Sequence, residues 1–82
     1  MRFPDKAIVD RVRVAYPPGA RVELLHMDDA QAPSPGTLGT VIAVDDTANL
    51  IMKWDNGSGL NVVYGVDRVR RIGSSFVMRK GR

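Results

Sequence analysis

The chain has 82 residues, 44% of them hydrophobic, and no cysteine; this composition predicts one domain with a single modest core and excludes a disulfide scaffold or a thiolate metal site. No apolar run approaches the roughly 20 residues that cross a bilayer, and residues 1–6 lack the apolar segment of a signal peptide. We therefore expect a soluble, cytoplasmic protein without a membrane partner.

The formal net charge of +3 is distributed unevenly along the chain. Residues 1–67 hold six basic and nine acidic residues, whereas residues 68–82 hold six basic residues and no acidic one. Such an asymmetry favours nucleic acid or another acidic partner. The alternative is a solvated tail that only keeps the protein soluble.

A short amphipathic helix is predicted over residues 5–15. Pro4 suits the first turn of a helix, and apolar residues then recur at three- and four-residue steps. These apolar residues are Ile8, Val9, Val12, Ala15 and Tyr16. Pro17 and Gly19 end the helix, because a residue before proline avoids the α region and glycine suits a turn.

Five short β-strands are predicted after the helix. They cover residues 21–25, 37–44, 50–54, 59–63 and 69–72, where apolar residues alternate with polar ones or β-branched residues cluster. Gly39 indicates a close backbone approach or a sharp bend in the sheet, and Val41 and Val44 can both turn inward only across a bulge. The pattern predicts a mainly β fold: a five-stranded SH3-like barrel that forms one domain with the helix over residues 1–72, followed by a basic tail at 73–82.

The segment from residue 26 to 36 is a polar, proline-rich loop that is long for a hairpin. Loops of this length are often functional, because most connections need only about 4 to 6 residues. The loop begins with His26 and holds Asp28 and Asp29, which are candidate partner contacts.

No metal site is predicted from the acidic pairs Asp28-Asp29 and Asp45-Asp46. Adjacent carboxylates usually diverge, and aspartate is a preferred turn residue whose side chain accepts backbone hydrogen bonds. The single histidine, His26, has no second histidine or cysteine to complete a zinc set.

No catalytic set is predicted either. The serines lie in turn or tail segments, and spacing assigns none of them to a base. Gly57-Ser58-Gly59 lacks the helix and the lysine of a phosphate-binding loop. We expect a protein without enzyme activity, cofactor or small-molecule substrate.

Among the aromatic residues, Trp54 shares the strand parity of Leu50 and Met52, so we expect it in the core. Tyr16 and Tyr64 each lie beside a turn, and they are candidates for an exposed aromatic patch that contacts a partner.

Six short motifs follow one another between Tyr16 and Ile72. They are Tyr16-Pro17-Pro18-Gly19-x-Arg21-Val22-Glu23-Leu24, Met27-Asp28-Asp29, Pro35-Gly36-Thr37-x-Gly39-Thr40-Val41, Val44-Asp45-Asp46, Trp54-Asp55-Asn56-Gly57-Ser58 and Gly65-Val66-Asp67-Arg68. In this order they resemble a small bacterial and phage family known as domain of unknown function 4314. The resemblance implies a compact β-barrel often carried on mobile elements, and it brings no established activity. Tyr64 stands where the family pattern has a proline.

The candidate binding residues are mostly basic and C-terminal: Arg68, Arg70, Arg71, Arg79, Lys80 and Arg82. They predict a non-catalytic binding module that contacts nucleic acid through phosphates without reading sequence. The alternative is a protein-binding or assembly module, such as a phage-encoded structural subunit or an inhibitor of a host complex, with the tail joining copies of the chain into a homo-oligomer.

Overall fold

A computed structural model describes residues 4–72 as one helix and four strands. In chain order these are α1 (Lys6–Ala15), β1 (Arg21–His26), β2 (Leu38–Val44), β3 (Leu50–Trp54) and β4 (Arg68–Arg71). The strands form one antiparallel sheet in the order β3-β2-β1-β4. The predicted mainly β fold with a short N-terminal helix is therefore confirmed. Within residues 4–72 the sheet is open, with β3 and β4 at its edges.

The predicted five-stranded barrel is not what residues 4–72 form, because the segment 59–63 is not a strand. Val62 and Leu50 exchange two backbone hydrogen bonds of 3.0 Å, and pairing with β3 is limited to this bridge. Between this bridge and the end of β3, side chains replace the ladder: Met52 N–H donates to Asn61 Oδ1 (3.2 Å), and the Trp54 indole N–H donates to the Leu60 carbonyl (2.8 Å). The Met52 N–H and the Leu60 carbonyl are thus satisfied without pairing to each other's backbone, and the ladder does not extend past the bridge.

The helix α1 begins and ends close to the predicted boundaries. Tyr16 N–H still donates to the Val12 carbonyl (2.8 Å), and the helix stops before Pro17 as expected. The guanidinium of Arg71 donates to the Ala15 carbonyl (2.8 Å), one of the acceptors left free at a helix C-terminus. At ten residues α1 is far too short to cross a bilayer, and residues 4–72 contain no membrane-spanning helix.

The core lies on one face of the sheet, and alternate residues of the strands point their side chains into it. Its members are Ala20, Val22, Leu24, Val41, Leu50, Met52, Trp54 and Val62. The predicted bulge is present in β2: Val41 pairs with Met52 and Ala43 with Ile51, so Ile42 is the extra residue. Because of this bulge, Val41 is buried and Val44 packs against the core from the same strand.

The β2–β3 turn shows that Asp45 has the structural role predicted for it. Its Oδ1 accepts hydrogen bonds from Thr47 N–H (2.9 Å), the Thr47 hydroxyl (2.7 Å) and Asn49 N–H (3.0 Å). Partial burial opposes ionisation of this carboxyl, but the three hydrogen bonds outweigh it and hold the pKa of Asp45 below its usual value of 3.8. The adjacent Asp46 forms a 2.8 Å ion pair with Arg13 of the helix.

We expect Asp45→Ala to lower the free energy of unfolding by about 2 kcal/mol at pH 7, because three donors lose a charged acceptor. Since the folded-state pKa is depressed, this contribution is present above about pH 4 and is lost as the pH falls through the folded-state value. Urea unfolding of both proteins at pH 7, 5 and 3 would measure it. Asp45→Asn keeps a carbonyl acceptor and should cost less; an equal cost for both variants at every pH would contradict the hydrogen-bonding role.

Candidate binding site

A surface cavity of about 350 Å³ opens between the end of α1, the end of β1 and the segment that leads into β4. Its floor includes the buried core residues Leu50 and Val62, and Val12 and Leu25 contribute to its wall. The cavity is mainly apolar, with polar groups only at the tyrosines and at Asp67 and Arg68. A concave apolar surface with few polar groups is the usual form of a binding site.

The cavity brings together Tyr16 and Tyr64, which are far apart in the chain. Tyr16 is half-buried, packs against the core and follows the last turn of α1. Tyr64 is 45% exposed, and its backbone N–H donates to the side-chain oxygen of Asn49 (2.8 Å). Gly65 adopts φ +79°, so the turn after Tyr64 takes a conformation that favours glycine. Both tyrosines are thus held by their backbones at the same cavity.

Asp67 and Arg68 form the polar side of the cavity. Asp67 closes the turn: its Oδ2 accepts from Val63 N–H (2.8 Å), and its own N–H donates to the Val63 carbonyl (3.0 Å). Arg68 is exposed at the start of β4, and no ion pair or hydrogen bond of its side chain is found within residues 4–72. The exposed Arg68 side chain thus lies on this side of the cavity.

The two other arginines of β4 are exposed but engaged with neighbours. The Arg70 guanidinium forms a 2.7 Å ion pair with Glu23, its cross-strand partner on β1. Arg71 donates to the Ala15 carbonyl at the end of α1. Both contacts help hold β4 in place, and neither arginine is buried.

Two arginines outside β4 are also paired with acids. Arg21 forms a forked pair with Asp55 (2.6 and 2.8 Å), whose hydrogen bonds hold the pKa of the Asp55 carboxyl below its usual value. Arg13 links the helix to Asp46 and to the Val44 carbonyl. Residues 4–72 as a whole hold eight basic and nine acidic residues, a formal charge of −1.

The predicted loop contacts lie outside the cavity lining. His26 is exposed at the end of β1, opposite Arg68 across a bulge in the β1–β4 pairing. Asp29 has a turn role, since its Oδ1 accepts from Gln31 N–H (2.8 Å), and Asp28 is exposed beside it. No cluster of three or more metal-ligand side chains occurs within the described range 4–72.

Sequence reasoning did not identify Leu25 or Asn49 as contributors to this site. Leu25 lies at the β1 bulge, between Leu24 and His26, and lines the cavity although strand alternation puts it on the solvent side. Its only sequence signal was an apolar residue at an outward position. Asn49 acts through its bond to Tyr64, which no local pattern reveals. The predicted contacts Arg79, Lys80 and Arg82 lie outside the described residues.

A family model described as Domain of unknown function (DUF4314) matches residues 5–72. The match spans α1, all four strands and every residue that lines the cavity. It confirms the family predicted from the motifs between Tyr16 and Ile72, and it extends the relationship to the helix. Comparisons with curated proteins and with solved structures gave no significant match.

Proposed function

Because the chain belongs to the family described as Domain of unknown function (DUF4314), which brings no activity with it, we propose a function from the chain's own residues. The protein is a non-catalytic binding module that contacts nucleic acid through its basic C-terminal region. The observation that carries the proposal is the position of β4: an exposed strand with three arginines at the edge of the sheet, leading directly into residues 73–82.

Charge supports this edge as the contact surface. Residues 4–72 carry a formal charge of −1, whereas residues 73–82 add three basic residues and no acidic one. Arg70 is engaged with Glu23, but its side chain is 63% exposed. The Glu23 side chain is 25% exposed, so the pair is only partly in solvent; ion pairs at a protein surface contribute little net free energy, and Arg70 can turn from Glu23 to a phosphate at a modest cost. The edge can therefore bind phosphates although two of its arginines already have partners.

The fold also favours binding of duplex DNA without recognition of its base sequence. Phosphate contacts position a protein on nucleic acid but carry no base information. Reading a major groove requires a helix or a two-stranded ribbon that enters it. Within residues 4–72 the helix α1 packs against the sheet and is tied to it through Arg13. We therefore propose binding of similar strength to unrelated sequences.

We expect neutralising the tail in the full chain, with Arg79→Gln, Lys80→Gln and Arg82→Gln together, to weaken nucleic-acid binding and its salt dependence. The log-log salt slope should fall by about 2.7 on duplex DNA and by about 2.1 on a single strand, at about 0.9 and 0.7 per phosphate contact. Fluorescence anisotropy titrations of both probes between 50 and about 200 mM salt would measure these slopes.

A charge-matched control distinguishes the effect of the tail's basic residues from the effect of the protein's net charge. Lys6→Gln, Arg11→Gln and Lys53→Gln together remove the same three charges from exposed positions on α1 and on β3, at the opposite edge of the sheet. This variant should keep the wild-type slope. Equal slopes for the two triple variants, or no binding to either probe at low salt, would refute the proposal.

The second candidate is a protein-binding or assembly module, favoured by the apolar lining of the cavity and by exposed apolar side chains. The most exposed are Val14 on α1, Val66 in the turn between Tyr64 and β4, and Ile42 at the β2 bulge. In this case the tail variant should lower the oligomeric mass in light scattering, and nucleic acid should not bind. An SH3-like relationship, an origin in a phage or mobile element and a cytoplasmic location stay predictions.

A further inference from the structure

We propose that the Tyr16–Tyr64 cavity binds one unstacked base of a single-stranded nucleic acid, with Arg68 holding the adjacent phosphate. This inference rests on the proposed function and deepens it, because it names single strands as the preferred ligand. It joins two features that were separate in the sequence, an aromatic pair and a basic strand.

The cavity has the composition of a base-stacking site. Single-strand binding proteins combine aromatic side chains, on which bases stack, with a basic surface that follows the backbone. Here Tyr16 and Tyr64 lie at one cavity, with the apolar side chains of Leu50 and Val62 beneath them. At about 350 Å³ the cavity falls within the range of small-ligand pockets, about 300 to 1,000 Å³.

The charges around the cavity orient such a ligand. Arg68 is exposed at the side that continues into β4, so a phosphate at Arg68 leads the nucleic-acid strand toward the other exposed residues of β4. Asp67 also lines the cavity and repels a phosphate from its interior. One of its oxygens is occupied by Val63 N–H, and the other can accept a hydrogen bond from an N–H group of a base. The base therefore enters the cavity and the phosphate stays outside it.

The site is held in place before binding. Tyr16 packs against the core at the end of α1, and its N–H is bound to the Val12 carbonyl. Tyr64 is anchored through Asn49, which belongs to the turn organised by Asp45. Preorganisation of this kind reduces the entropy lost on binding. A duplex cannot use such a site, because its bases are already stacked and paired.

The test compares a single-stranded oligonucleotide with its duplex, using full-length protein and anisotropy over the same series of salt concentrations for both probes. We expect the wild type to prefer the single strand. Tyr64→Ala should weaken single-strand binding by about 5- to 160-fold, the range for losing one base stack, and leave the salt slope unchanged. Tyr64→Phe should bind like the wild type, because it keeps the ring. Arg68→Gln should lower the single-strand slope by about 0.7.

Two controls keep the result specific. Val66→Ala changes another exposed residue of the same turn that does not line the cavity, and it should bind like the wild type. Tyr64→Leu keeps apolar bulk without a ring, and it replaces Tyr64→Ala in the test if thermal melts show that the alanine variant is misfolded. A 2-aminopurine in the oligonucleotide should be quenched by the wild type and by Tyr64→Phe, but not by the leucine variant.

The failure of this inference differs from the failure of the proposed function. Equal affinity for single strand and duplex, together with no effect of either non-aromatic Tyr64 variant, would overturn the stacking site and leave phosphate binding intact. Absence of binding to both probes at low salt would overturn both proposals.

Discussion

Replacing Trp54 by alanine is expected to lower the free energy of unfolding by about 3 to 5 kcal/mol. Small domains are stable by only about 5 to 15 kcal/mol, so the variant should be largely or partly unfolded. Trp54 is 1% exposed and packs in the core with Leu50 and Met52 from the same strand. Its indole N–H also holds the Leu60 carbonyl at 2.8 Å, so the substitution removes both core volume and the anchor of the segment after β3.

Far-UV circular dichroism during urea unfolding is the suitable measurement, because Trp54 is the sole tryptophan and its fluorescence disappears with it. Trp54→Phe keeps most of the ring but not the hydrogen bond, and it should have an intermediate cost. Ile42→Ala, at an exposed position of β2, should change stability by less than about 0.5 kcal/mol. A stable Trp54→Ala variant that had lost only ligand binding would show that Trp54 serves binding rather than the stability of the core.

Gly39→Ala is expected to destabilise the domain by about 2 to 3 kcal/mol, because β2 and β3 pack too closely there for a side chain. A Cβ atom at Gly39 would lie 2.5 Å from Cε3 of Trp54, its cross-strand partner, and 3.0 Å from Cδ2 of the same ring. The end of the Met52 side chain, also at 3.0 Å, can move aside. The buried indole cannot move without disturbing the core, so the strands must separate.

Gly59→Ala is the matched control, since a Cβ at Gly59 meets no atom within 4 Å and the backbone needs no positive φ. It should be neutral or slightly stabilising in the same urea unfolding assay. A second check is a double-mutant cycle with Trp54→Phe, in which the smaller ring should reduce the cost of Gly39→Ala. Equal costs for the two glycine substitutions would show that the close approach has no energetic consequence.

Much of the fold was predictable because it depends on residues that are near one another in the chain. The helix at 5–15 and all four observed strands follow from periodicity, and the observed bounds differ from the predicted ones by at most one residue at either end. The bulge in β2 follows from the spacing of Val41 and Val44, and the core position of Trp54 from its parity with Leu50. The predicted strand at 59–63 was wrong because its pattern does not reveal that side chains of Asn61 and Trp54 take the hydrogen bonds of a ladder.

The candidate site was predictable only in part. Tyr16, Tyr64 and Arg68 were each identified as candidate contacts, but spacing gives no distance between residues far apart in the chain. Nor does charge counting show that Arg70 and Arg71 are engaged with Glu23 and the helix end while Arg68 is not paired within residues 4–72. These facts depend on the β1–β4 register and on the bulge beside His26.

The sequence by itself determined the family, the single core, the helix and the concentration of positive charge after residue 67, because each is a property of local pattern or composition. Only the tertiary structure decided that the sheet of residues 4–72 is open, that its basic strand lies at an edge, and that two tyrosines meet at one cavity. The reason is that strand order and register arise from long-range packing around Trp54 and its neighbours, and such packing joins segments whose local patterns are independent of one another.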